Sequence, residues 1–197
     1  MIPVRAKWIL FAIMVIAQLI IGMSMIMVHQ EVIVKGKEYK FLVRPVDPND
    51  PLRGKYMTLA FADREVSIDT SEQWENGMPI WIVVGEGEEG FAKPMFIKDK
   101  NAKPIDEGWS EDDVYFSGSI RYVNKRRGKA ILEYPFDRLY LNEMQAPIAE
   151  EVFSEAMRDS SSITYATVSI LEGKAVLQDV YINDVNLKEV ALSSGGN

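Results

Sequence analysis

The chain has 197 residues, a formal net charge of −7 and no cysteine. Thiol catalysis, disulfide staples and cysteine-ligated metals are thereby excluded, and the acidic balance argues against nucleic acid and against an electrostatic grip on anionic lipid headgroups. A chain without thiols suits an oxidising compartment such as a bacterial periplasm.

The first element is the most informative. Arg5 and Lys7 precede an apolar run from Trp8 to Val28, interrupted only by Gln18, Gly22 and Ser24. An α-helix needs about 20 such residues to cross a bilayer core. A cleaved signal peptide would carry a shorter apolar region, roughly 7–15 residues, ending at a small-x-small site. Here the only such site is Gly22-Met23-Ser24, and apolar residues continue beyond it. Residues 8–28 are therefore read as an uncleaved signal anchor held in the lipid bilayer. No Asp or Glu appears before Glu31, so the positive-inside rule puts residues 1–7 in the cytoplasm and everything after His29 outside. The expected location is the bacterial inner membrane, single-pass, with an extracytoplasmic domain over 30–192 and a flexible tail over 193–197. Gln18 is either a tolerated neutral side chain or a hydrogen-bonding contact to another transmembrane helix.

Short apolar runs separated by turn residues follow. Val32-Ile33-Val34 is β-branched throughout and reads as a strand, with Lys35-Gly36-Lys37 as a tight turn and Tyr39–Val43 as the next strand. Pro45, Pro48 and Pro51 make the stretch from Arg44 to Gly54 a Pro-punctuated loop. Tyr56–Phe61, Pro79–Val84 and Pro94–Lys98 read as strands. Asp113–Tyr134 reads as a hairpin closed by Lys125–Gly128. Pro147 occupies a first helical position, and Ile148, Val152, Phe153, Ala156 and Met157 follow at helical spacing. Glu150 and Glu151 are placed in its first turn and Arg158 in its last, as the helix dipole favours. Ile163–Leu171, Glu172-Gly173 and Lys174–Ile182 read as a final hairpin. The expected fold is a mainly β or α+β extracytoplasmic domain with one amphipathic helix, preceded by a single N-terminal transmembrane helix.

Chemistry-bearing constellations are few. The only His, His29, sits at the membrane boundary, which removes histidine catalysis from the domain. A Ser–Lys dyad of the membrane-anchored signal-peptidase kind would need a Ser-Met-x-Pro motif outside the membrane. Ser24-Met25-Ile26-Met27 lacks the proline and lies within the apolar run. Asp47-Pro48-Asn49-Asp50 and the cluster Asp106, Glu107, Glu111, Asp112, Asp113 lack calcium-loop spacing and are more simply turn residues. Glycosidase-type chemistry needs two carboxyls flanking one cleft, and no spacing selects a pair. Trp74, Trp81 and Trp109 are spread through the sequence and not grouped as a carbohydrate platform, with Trp81 most simply core. No cofactor, metal or catalytic residue is assigned.

Arg53-Gly54-Lys55-Tyr56-Met57-Thr58-Leu59-Ala60-Phe61, just after Asp47-Pro48-Asn49-Asp50-Pro51, resembles the signature of the bacterial GDYXXLXY family. Gly54, Tyr56 and Leu59 match, while Lys55 stands where the family has Asp and Phe61 where it has Tyr. Gly173–Ile182 is similar to the family's C-terminal hairpin, so the resemblance spans most of the chain. The family carries no established activity, and its members' genes often neighbour those of multispanning membrane proteins, which implies a membrane partner. Taken as physics, the motif is a strand entry. Met57, Leu59 and Phe61 share one face and Tyr56 and Thr58 the other, while Lys55 removes a catalytic carboxylate from that position. The candidate partner-binding loop is Asp47, Asp50, Arg53, Gly54 and Tyr56, stiffened by proline; its charges either present a partner knob or pair with one another. The leading expectation is a membrane-anchored accessory or interaction module acting with another membrane protein, which the resemblance implies is multispanning, and not with nucleic acid. The alternatives are a carboxylate-dependent hydrolase or transferase, and a small-ligand or polysaccharide binder.

Overall fold

The computed structural model describes residues 4–44, 56–87, 89–100, 109–110, 112–142, 145–159 and 161–194. In chain order these form α1 (Val4–Lys35), β1 (Lys37–Arg44), β2 (Tyr56–Thr58), β3 (Ala60–Phe61), β4 (Glu65–Ser67), β5 (Pro79–Glu86), β6 (Ala92–Asp99), β7 (Val114–Asn124), β8 (Lys129–Glu133), β9 (Arg138–Tyr140), α2 (Ala146–Arg158), β10 (Thr164–Leu171), β11 (Lys174–Ile182), β12 (Val185–Asn186) and α3 (Leu187–Ser194). A mostly β domain follows one long apolar helix, as the sequence implies.

Helix α1 is apolar all round, and none of its most hydrophobic 18-residue window, of mean hydropathy 2.4, is buried. Such a helix is long and apolar enough to cross a membrane. At 1.5 Å per residue its 32 residues span about 48 Å. The expected strand at Val32–Val34 is not formed, because α1 runs on to Lys35. Intrinsic β preference loses here to helix continuation: propagating an existing helix costs far less than starting a new element. Lys35 Nζ donates to Glu31 Oε1 one turn back, at 2.9 Å, and Val32 is buried where α1 packs on β10 and β11. The turn falls at Gly36, whose N–H closes onto the Val32 carbonyl at 2.9 Å. A Cβ at Gly36 would lie 2.3 Å from that carbonyl oxygen and 3.1 Å from the Ile170 backbone, so only glycine fits between helix and sheet.

Two five-stranded antiparallel sheets share the core, in the orders β12-β11-β10-β1-β3 and β4-β8-β7-β5-β6, and a two-stranded ribbon β2-β9 stands beside them. Alternation on β1 sends Tyr39, Phe41 and Val43 inward. Phe41 is the hub, 5.8 Å from Phe61, 6.3 Å from Phe116, 5.7 Å from Tyr134 and 5.2 Å from Phe136, centroid to centroid and all edge-on. Edge-on aromatic pairs each add about 0.5–1.5 kcal/mol beyond the area they bury. Tyr134 keeps its polar end satisfied by donating to the Asp63 carbonyl at 2.6 Å, and burial pushes its phenol far above the ordinary tyrosine range.

Both hairpins read from sequence form: β7 with β8, and β10 with β11. The turn between β10 and β11 has positive φ at Glu172 (45°) and Gly173 (82°), the two-residue geometry that matches strand twist. It docks on the other sheet, where Ser117 N–H donates to the Gly173 carbonyl at 2.9 Å.

Several details differ from the sequence reading. Tyr56–Phe61 is not one strand: β2 pairs with β9 and β3 with β1, the chain changing partners at Leu59. Met57, Leu59 and Phe61 nonetheless pack on the core side, as alternation implies. Helix α2 starts at Ala146 with Pro147 in its first turn, which leaves Glu150 and Glu151 just beyond that turn. A further helix, α3, reaches Ser194 and so takes in the start of the stretch expected to be tail. Its Leu187 and Ala191, one turn apart, are buried in the core.

Candidate functional site

Of the residues proposed for the partner loop, Asp47, Asp50, Arg53 and Gly54 lie outside the described residues, and Tyr56 lies within them. Tyr56 opens β2 and faces Tyr140 of β9 in register. Their rings are 5.9 Å apart and tilted by 56°. The Arg138 guanidinium carbon stands 5.0 Å from the centre of the Tyr56 ring, a cation–π contact. Arg138 also approaches the carboxylate of its neighbour Asp137 at 3.7 Å. Tyr140 is 67% exposed and Tyr56 half-buried.

Leu59 N–H donates to the Asp137 carbonyl at 2.8 Å, and Leu59 and Leu139 are buried with Met57 packed beside them, which fixes the ribbon's inner face on the core. From that anchor the chain presents Tyr56, Arg138 and Tyr140 outward. The sequence reading found Tyr56 and missed Arg138 and Tyr140. Three-residue strands carry too little periodicity to be read; only the pairing Tyr56 to Tyr140 reveals them.

A second cluster corrects the view of the aromatics as dispersed. Trp81 is half-buried and not core. Its ring lies 5.4 Å from Tyr115, and Trp109 lies 4.9 Å from the same Tyr115, both edge-on. Lys100 Nζ sits 5.2 Å over the Trp81 ring and donates to Ser117 Oγ at 2.8 Å. The available signal was the alternation on β5, which puts Ile80, Ile82 and Val84 in the core cluster and Trp81 and Val83 on the opposite face, where Val83 is itself buried.

A third feature is a cleft of about 390 Å³ lined by Lys40, Glu89, Phe91, Tyr165 and the Asn183-Asp184 turn. Tyr165 stacks on Tyr181 at 5.3 Å, Lys40 Nζ lies 4.8 Å over its ring, and its O–H donates to Asp184 Oδ1 at 2.7 Å. Burial, and then this hydrogen bond to a carboxylate, push the Tyr165 phenol up to about 12. At neutral pH it is a fixed donor and not a proton shuttle. Asn183 Oδ1 accepts from the Ile163 N–H at 2.9 Å, which ties the turn to the start of β10.

Ser24 Oγ donates back to the Ile21 carbonyl within α1, at 2.8 Å, and His29 lies on the same helix. Asp113 Oδ2 accepts from the Ser110 N–H at 2.8 Å, which is turn closure. Among the described residues no group of three or more His, Asp or Glu side chains is arranged to hold a metal ion.

The fold and the ribbon define a small β-rich domain carried directly on a single long apolar helix. The chain matches the family described as GDYXXLXY protein over residues 18–180 and belongs to it. Comparison with curated proteins and with solved structures found no match.

Proposed function

We propose that this chain is a membrane-tethered interaction module of a bacterial envelope that works by docking on another membrane protein. In this reading α1 is the tether, residues 1–7 are cytoplasmic and the β domain lies on the outer side of the inner membrane. The asymmetry of Arg5 and Lys7 before the apolar run supports that orientation.

The observation that carries the docking role is the ribbon. Tyr56, Tyr140 and Arg138 form an aromatic–arginine surface immediately after the Pro-rich loop. Tyr and Arg dominate binding energy at protein interfaces, where a rigid amphipathic ring loses little entropy on contact. Asp47, Asp50 and Arg53, adjoining in sequence, supply charge for register.

Purification in mild detergent, comparing the native chain with Tyr140→Ala and Arg138→Glu, tests the docking. Loss of a co-purifying membrane protein with an unchanged melting temperature supports the role; retention of that protein sinks it. A reporter fused after Asn197 tests the orientation, and activity only in the cytoplasm overturns it.

A further inference from the structure

Building on the tether reading, we propose that the end of the β domain bearing Trp81, Trp109 and Tyr115 is seated in the headgroup layer of the same bilayer that holds α1.

The junction leaves no slack for the domain to stand away from the membrane. Helix α1 is continuous to Lys35, and Gly36 is wedged between the Val32 carbonyl and the Ile170 backbone. Val28 is the last residue of the apolar run that begins at Trp8. Counting at 1.5 Å per residue, Glu31 lies about 4.5 Å past Val28 and Lys35 about 10 Å. The headgroup region is roughly 5–7 Å thick on each side of the hydrocarbon core. The helix therefore crosses the outer boundary of that layer between Glu31 and Lys35, and the domain begins only a few ångströms beyond it.

The turn between β10 and β11 reaches back alongside the helix. Lys174 lies within electrostatic reach of Glu31, and Glu172 of Lys35. That turn carries the aromatic cluster with it. A Cβ on Gly173 would come within 2.7 Å of the Trp81 ring and 3.3 Å of Tyr115, so both rings lie flush against the turn, and Trp109 packs on Tyr115. Two half-buried tryptophans and a tyrosine stand beside the turn where α1 meets the domain; the indole N–H groups of Trp81 and Trp109 face inward, so what the cluster offers the headgroup layer is the apolar edges of its rings. Lys35, Lys37, Lys100 and Lys174 are found here too, but Glu31, Glu86, Asp112 and Glu172 offset them. With the charges of these described residues offsetting one another, the seating is by aromatic burial and does not depend on lipid charge.

Trp74 serves as an internal reference. It is 5% exposed and lies beside Tyr122–Arg126. Tyr115 and Tyr122 are seven residues apart on β7, about 23 Å at strand rise.

The test uses the full chain in nanodiscs whose lipids carry bromine near the headgroup end of the acyl chain. Trp8→Phe removes the only tryptophan of α1. Its emission is expected to fall in brominated relative to unbrominated discs, equally in zwitterionic and anionic lipid. The triple variant Trp8→Phe, Trp81→Phe, Trp109→Phe, which keeps Trp74 alone, should lose that response. Unquenched Trp8→Phe protein overturns the proposal, as does quenching seen only in anionic lipid. The variant Trp74→Phe, Trp81→Phe, Trp109→Phe reports on Trp8: quenched there, it leaves the tether standing even when the seating fails, and unquenched, it overturns both. Should the triple variants not fold, Trp8→Phe and the native chain decide between them.

Discussion

The family signature runs through two regions that share a sequence and little else. Leu59 and Phe61 are sunk in the core, Phe61 packed against Phe41, Tyr134 and Phe136. Tyr56, three residues earlier, sits on a two-stranded ribbon beside a largely exposed Tyr140. One half is enclosed by other apolar side chains on every side and is explained by folding alone. The other half is held on the core by Met57 and Leu139 on its inner face and presents two aromatics and a cation on its outer one. The motif therefore contains two kinds of position, and substitutions in each half should separate stability from the docking proposed above.

The largest expected effect lies in the core half. Phe41→Ala removes the hub of the aromatic cluster and should destabilise the domain by about 3–5 kcal/mol. Chemical denaturation of the full chain in detergent measures it, and a cost below about 1 kcal/mol would contradict the packing described. Next comes the hairpin turn. Gly173→Val forces a β-branched residue to φ 82° and drives its Cβ into the Trp81 ring. The expected cost is about 1–3 kcal/mol, read as a lower melting temperature, with Gly173→Ala intermediate.

Smaller again is the polar tie at Tyr165. Tyr165→Phe deletes the donor to Asp184 and should cost about 1 kcal/mol. This site also has a pH signature. The phenol's folded-state pKa is raised from 10 to about 12, so the stabilisation it contributes is complete below pH 10 and is lost as pH rises through 12. The phenolate absorbance of the native chain minus that of Tyr165→Phe isolates the group; ionisation near pH 10 would show that the hydrogen bond is not kept.

These regions were legible to different degrees in the sequence. The hairpins β7–β8 and β10–β11 and helix α2 show their periods over 8 or more residues or close on strong turn residues, and so could be read. The strand expected at Val32–Val34 was misread because local β-branching says nothing about an oncoming helix, and it is Gly36 that ends that helix. Helix α3 offers only Leu187 and Ala191 as an inward pair, too little to be seen. The ribbon escaped for a different reason. Tyr56 and Tyr140 are far apart in the chain, and only strand register brings them together. The same holds for Trp81 and Tyr115, which only the pairing of β5 with β7 brings together.

The smallest expected effect on stability is also the most telling. Tyr140 is mostly exposed, so Tyr140→Ala should change stability by no more than about 0.5 kcal/mol. The deciding measurement is the recovery of a co-purifying membrane protein with native chain and with Tyr140→Ala, taken with the melting temperature of each. The account predicts that the partner is lost while the melting temperature holds. A partner retained by a fully folded Tyr140→Ala protein would contradict the claim that the outer half of the motif is a docking surface.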